Sequence, residues 1–245
     1  MTRPPATPYE TMRYDPALTG SGGDVPGLAR LPRHWARLER SAAFTGVPLD
    51  RDAVLHALRA AVAGAARPLR VRLALTFTGA PEVAVEPLDP PYPQGFADEP
   101  AVAVASAGTG PWPLLAVAAE RVDESDPARR HKTSDRALYE HGRAYAPAHG
   151  LADVAFLNTR GELVEGAIAN VYVGSGPDDL RTPPLASGAL PGVLRAELLE
   201  RGLAREAVVT EAELRAAPLV LISSSVRGLR RVSVTPGVVG VRVAG

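Results

Sequence analysis

The chain has 245 residues, 46% of them hydrophobic and 22% charged, which is enough apolar material for one large or two modest domains. Its 27 basic and 27 acidic residues cancel, so charge points to neither nucleic acid nor an anionic membrane as partner. It has no cysteine, which excludes disulfides and thiolate metal sites, and its five histidines have no metal-ligand spacing.

The N-terminal residues 1–8 are rich in Pro and Thr and lack the apolar centre of a signal peptide. No apolar run approaches the ~20 residues that a membrane helix needs. A cytoplasmic protein is the expectation.

The chain begins with a short predicted strand over Tyr9–Tyr14. Leu31–Gly46 has helical spacing, with Trp35, Leu38 and Ala42 on one side. A second helix is predicted over Leu49–Ala66, where Asp50 or Asp52 can cap a stripe of Val54, Leu55, Leu58 and Val62. Val71–Phe77 and Val83–Val85 suit strands. Residues 89–113 hold six prolines and read as irregular around one short strand at Ala101–Ala105. Leu114–Val122 is strand-like, and the charged stretch Asp123–Arg130 reads as a linker. A smaller N-terminal domain, 1–122, is therefore expected before a larger one, 131–245.

In the second half, Ser134–His149 reads as a helix ended by Gly150, and Asp153–Leu157 as a strand. After a turn at Asn158–Gly161, one strand is predicted from Leu163 to Val173, running across Glu165. Leu190-Pro191-Gly192 opens a helix through Arg201. A short helix at Glu211–Ala216 and a buried strand at Leu219–Ser223 follow, and the Val-rich end is placed at a sheet edge. Mixed strands with helices against them imply a two-domain α+β fold.

Lys132 stands out. It is the sole lysine of the chain, it follows the polar linker, and it opens a helix-like stretch. Glu165 comes 33 positions later, at the end of the next strand–turn unit. An amine that can form a Schiff base and a carboxylate that can keep a pyridine nitrogen protonated suit pyridoxal 5'-phosphate. Arginine does not form such a bond under ordinary conditions, so Lys132 alone can hold that cofactor covalently.

Five stretches then carry a resemblance: Tyr9-Glu10-Thr11-Met12-Arg13; His34-Trp35-Ala36-Arg37-Leu38 with Ser41-Ala42; the segments around Lys132 and Glu165; Leu190-Pro191-Gly192-Val193-Leu194-Arg195; and Ser225-Val226-Arg227-Gly228-Leu229. Together they resemble the fold-type IV pyridoxal-phosphate enzymes, the class IV aminotransferases, over roughly Tyr9–Val232. The resemblance implies the two-domain architecture of the D-amino acid aminotransferase type, with Lys132 as the cofactor lysine and Glu165 at the pyridine nitrogen. It implies phosphate binding by Arg37, by the backbone of Gly192, Val193 and Leu194 at a helix start, and by Ser225. Arg37 can equally be read as a surface arginine of an amphipathic helix, and Ser225 as a turn cap. Many transaminases of the family carry Thr where this chain has Leu194, so that hydroxyl is missing. Asn170 resembles the family's asparagine after the Glu and is read as structural.

Within the family the pattern is most similar to the 4-amino-4-deoxychorismate lyases. Arginine four positions after the lysine, Arg136, looks like that group, and Ala137 stands where branched-chain transaminases usually carry Tyr. Tyr139 is one helical step too far for that role. Arg227 lies in a stretch like the lyases' Asn-Ser-Leu-Arg-Gly, although Ser224 replaces the Asn. Arg136 and Arg227 are the residues the resemblance assigns to substrate. It further implies a homodimer. The eight residues before Tyr9 leave room for a chorismate-amination synthase as a separate partner. The rival readings are a class IV transaminase for branched-chain or D-amino acids, and a non-catalytic homologue serving as an assembly subunit.

Overall fold

The computed structural model describes residues 6–18, 23–93 and 95–241. Two compact units emerge, Met1–Asp89 with His131–Asp135, and Pro90–Arg130 with Arg136–Gly245.

The first unit runs β1 (Tyr9–Tyr14), α1 (Leu31–Thr45), α2 (Arg51–Val62), β2 (Leu69–Leu75) and β3 (Pro81–Pro87). The strands form an antiparallel sheet in that order, with Met12 opposite Val71 and Glu10 opposite Leu73. The alternating apolar residues of β2 turn Leu69, Val71, Leu73 and Leu75 to one side. There they bury Leu38 of α1 and the predicted stripe Val54, Leu55, Leu58 and Val62 of α2. α1 ends where Gly46 turns left-handed at φ 71°. Asp50 caps α2 by accepting from Asp52 N and Ala53 N at 2.9 and 3.1 Å. That helix stops four residues before the predicted Ala66, just ahead of the left-handed Gly64.

The second unit runs α3 (Pro100–Ser106), β4 (Leu114–Val122), α4 (Ala137–Ala148), β5 (Leu151–Asn158), β6 (Leu163–Gly166), β7 (Asn170–Gly174), β8 (Arg181–Thr182), α5 (Val193–Glu200), β9 (Arg205–Glu206), α6 (Glu211–Ala216), β10 (Leu219–Ser224) and β11 (Gly228–Val234). Its eight strands are ordered β6-β5-β4-β11-β10-β7-β8-β9. Strands β6 and β7 are separated by three residues in sequence but by five places in the sheet. Five strand spacings would span ~24 Å if flat, whereas four Cα steps reach at most ~15 Å. The sheet therefore curls. One cluster, including Leu115, Val117, Ala155, Leu157, Val171, Val173, Val220, Ile222 and Val232, is drawn from strands all round the curl.

Several sequence expectations are corrected. The single strand from 163 to 173 is two strands, because the chain turns at 167–169. Asp153, wholly buried on β5, accepts from Ile168 N and Ala169 N at 3.2 and 3.1 Å and holds that turn. Ala101–Ala105 is helical: Pro100 starts the helix, and alanines support it. Of the Val-rich end, Val232 and Val234 lie in β11, inside the sheet between β10 and β4, Val239 bridges Ala118, and Val243 lies outside the described residues. The expected domain edge at 122 gives way because β4 is an apolar strand parallel to β5 and β11, so it belongs with the second unit. The predicted helix from Ser134 begins only at Ala137, since the backbone of 132–134 is used elsewhere.

Burial pushes the Asp153 carboxyl up to about 6, against the N–H groups it accepts from. A Cβ at Gly166 would run into that carboxylate. Gly166→Ala is expected to cost roughly 1–3 kcal/mol of overpacking. Urea denaturation checks this, and an unchanged midpoint would refute the packing account.

Candidate active site

Lys132 lies in an extended segment alongside the entry to β1. Tyr9 N donates to Lys132 O at 3.0 Å and Ser134 N to Thr7 O at 2.8 Å. Lys132 N donates to Ser41 Oγ of α1 at 3.2 Å. The ammonium sits 4.5 Å from the centre of the Tyr9 ring. So the lysine does not open a helix, as its sequence context implied; β1 and α1 hold it.

The same face of α1 presents His34, Arg37 and Ser41, all buried. Glu10, also buried, accepts from Arg37 Nε at 2.8 Å and Arg37 Nη2 at 2.6 Å, and pairs with His34 Nδ1 at 2.7 Å. Burial alone would raise the Glu10 carboxyl, but Arg37 and His34 outweigh it and bring it down to about 2. Burial lowers His34 in turn, helped by the charges of Arg37 and Lys132 and opposed by Glu10. Two donors of Arg37, the expected phosphate ligand, are thus engaged within the unit. Sequence reading gave no role to Glu10 or Ser41. Their signal was positional: a carboxylate at an inward place of an alternating strand, and a serine two helical turns after His34.

In the second unit Glu165 closes β6 and is 4% exposed. Arg136 Nη2 donates to its Oε1 at 3.2 Å and Asn170 Nδ2 to its Oε2 at 3.3 Å. Asn170 Nδ2 also reaches Leu190 O at 3.2 Å, tying the carboxylate to the loop before α5. Arg136, expected at substrate, is buried beside Glu165, with its guanidinium 4.1 Å from the Tyr139 ring centre. Tyr139 is itself core, packed on Phe156 at 5.0 Å. Burial and the Glu165 charge push its phenol well above the usual range.

Gly192 is the N-cap of α5 and has no side chain to bond the first backbone N–H groups of the helix. Leu194 turns its side chain into the core and offers only backbone there. A Cβ on Gly192 would collide with Asn170 Oδ1, so glycine is required for this close approach. Ser225 and Arg227 share the turn between β10 and β11, where Ser224 Oγ accepts from Arg227 N at 3.1 Å. Ser223 at the end of β10 pairs with Asn170 across the ladder. The second unit thus gathers Glu165, Arg136, Asn170 and the 190–192 loop, and carries Ser225 and Arg227 at the end of the strand beside Asn170.

Residues 7–234 match the family described as amino-transferase class IV. The chain belongs to that family. Enzymes of this class are pyridoxal-phosphate dependent. A provisionally named amino-acid aminotransferase from Mesorhizobium loti is 35% identical, with 94% of this chain and 100% of that one covered at a TM-score of 0.78. A provisionally named 4-amino-4-deoxychorismate lyase from Legionella pneumophila is 20% identical over 97% of this chain and 86% of its own, at 0.71. The PLP-bound form of a hypothetical aminotransferase from Mycobacterium tuberculosis is 22% identical over 94% and 82%, at 0.69. No curated protein sequence matches the chain. The residues of this class IV chain fit the cofactor. They offer a single lysine, a buried carboxylate held by an amide and a guanidinium, and a helix start whose donors are backbone only.

Two outcomes follow. Gly192→Ala should displace Asn170 from both Leu190 and Glu165, lowering stability by roughly 1–3 kcal/mol in chemical denaturation; no loss would mean that the loop is not held there. Glu10 has a folded-state value of about 2 against an ordinary 4.5. Its stabilisation is complete above about pH 4.5 and fades as pH falls toward 2. Glu10→Gln should therefore flatten the acid limb of the stability–pH curve, measured by urea midpoints.

Proposed function

We propose that this class IV enzyme is a lyase that converts 4-amino-4-deoxychorismate to 4-aminobenzoate and pyruvate. The observation that carries the reading is the start of α4. Ala137 stands where branched-chain transaminases place a tyrosine, and the nearby Tyr139 phenol is buried against Phe156 in the core. The Arg136 guanidinium beside Glu165 fits the lyase pattern of arginine four positions after the lysine.

Bound pyridoxal phosphate supplies an aldehyde that condenses with amines and a pyridinium ring that accepts electrons. Glu165 would pair with the ring nitrogen, its carboxylate held in place by Arg136 and Asn170. Arg37, the α5 start and Ser225 would hold the phosphate. Lys132 Nζ, as a free amine, would accept the proton from the amine-bearing carbon of the substrate. Loss of that proton and cleavage of the enolpyruvyl C–O bond release enolpyruvate, which takes up a proton to become pyruvate, and leave an aromatic ring, so product formation is strongly downhill. Arg227 is suited to a substrate carboxylate, because guanidinium binds planar anions in two-pronged fashion.

The 35% identity to the Mesorhizobium protein favours a second reading, an amino-acid aminotransferase using the same lysine. The test is product analysis with 4-amino-4-deoxychorismate and added pyridoxal phosphate. Equal pyruvate and 4-aminobenzoate are expected, falling at least about a hundredfold in Lys132→Ala. Amino transfer to 2-oxoglutarate without pyruvate release would replace the lyase by the transaminase.

A further inference from the structure

Lys132 is held at both ends by one residue. Tyr9 N–H binds its carbonyl, and the Tyr9 ring lies 4.5 Å below its ammonium. The segment is pinned further by Ser41 Oγ on the Lys132 N–H and by His131 stacked on Phe44 at 4.0 Å. The charged and titratable groups on the elements next to this segment are Glu10 on β1, His34 and Arg37 on α1, Arg72 on β2, and His131 and Asp135 on the segment itself; of these, His34 feels the charge of the lysine. The Glu10 carboxylate is gripped by Arg37 and His34. Arg72 lies 4.7 Å from the same Tyr9 ring.

An aromatic face attracts a cation through its quadrupole, yet offers no lone pair that would fix it as a tight ion pair. Such a hold suits a lysine that alternates between a bonded and a free state. A carboxylate in that place would bind the free ammonium more tightly and oppose its return to the neutral amine.

We propose that Tyr9 is a positioning residue for Lys132, its ring receiving the ε-ammonium whenever that amine is free while its backbone fixes the lysine carbonyl. The inference rests on Lys132 being the cofactor lysine, but its test does not. With one lysine in the chain, lysine-selective isotope labelling gives a single ε resonance. In the full chain freed of aldehyde cofactor, the ε-methylene protons should lie upfield of their position in the urea-unfolded protein, as ring currents require. Tyr9→Phe should keep both this shift and the titration midpoint of the ammonium. Tyr9→Leu should abolish the shift and lower the midpoint by about half a pH unit. Equal midpoints in the Phe and Leu variants would overturn the proposal. So would a wild-type resonance at the unfolded position, which decides the matter even where Tyr9→Leu does not fold. Borohydride reduction of wild-type protein with pyridoxal phosphate reports separately on Lys132: absence of a reduced adduct removes the cofactor reading and leaves the ring contact to stand or fall on the resonance.

Discussion

Three residues, 167–169, join two strands that lie five places apart in one sheet, and the second unit is organised around that constraint. The connection is too short for a flat sheet, so the sheet curls and encloses the cluster of Val, Leu and Ile drawn from its strands. The turn is held by a buried carboxylate, Asp153, which receives two of its N–H groups and a third from Val154 at 2.9 Å. Burial makes that charge costly, so its hydrogen bonds offset a desolvation penalty rather than add free stability. Gly166 is the residue that lets the backbone approach the carboxylate.

Glu165, one residue before the last of β6, and Asn170, the first of β7, flank the turn. Placing them side by side is a consequence of the curl, and it allows the amide to bond the carboxylate and Leu190 together. Asn170, read from sequence as structural, is the link between the carboxylate and the loop that leads into α5. Arg136 completes the arrangement from the first residues before α4. The guanidinium and the amide keep the buried Glu165 from standing alone, which an unpaired charge could not sustain.

The first unit uses the same device with different residues. Glu10 would be costly in the core of a three-stranded sheet and two helices, but His34 and Arg37 approach it from successive turns of α1. The next turn brings Ser41 to the Lys132 N–H. One helix face thereby both neutralises a buried charge and anchors the lysine segment. That segment, 131–135, packs with residues far from it in sequence, so a boundary drawn from composition could not follow it.

Local signals were sufficient wherever neighbours in sequence decide the outcome. The period of α1 and α2, the Asp50 cap, the alternation of β2, the apolar run of β4 and the glycine stop after α5 were all legible, and so were Lys132, Glu165 and the Gly192 helix start as candidates. The break at 167–169, the interior place of β11, the helix at 100–106 and the extended course of 132–134 were not. The helix at 100–106 has local signals, Pro100 and its alanines, that the many prolines around it masked; the other three depend on partners remote in the chain: Asp153 for the turn, β4 and β10 for β11, Thr7 and Tyr9 for the lysine segment. Sequence alone determined which chemical groups exist, above all one lysine and no thiol. Tertiary structure decided which charges face one another, because Arg37 and Arg136 find Glu10 and Glu165 only once strands and helices have closed around them.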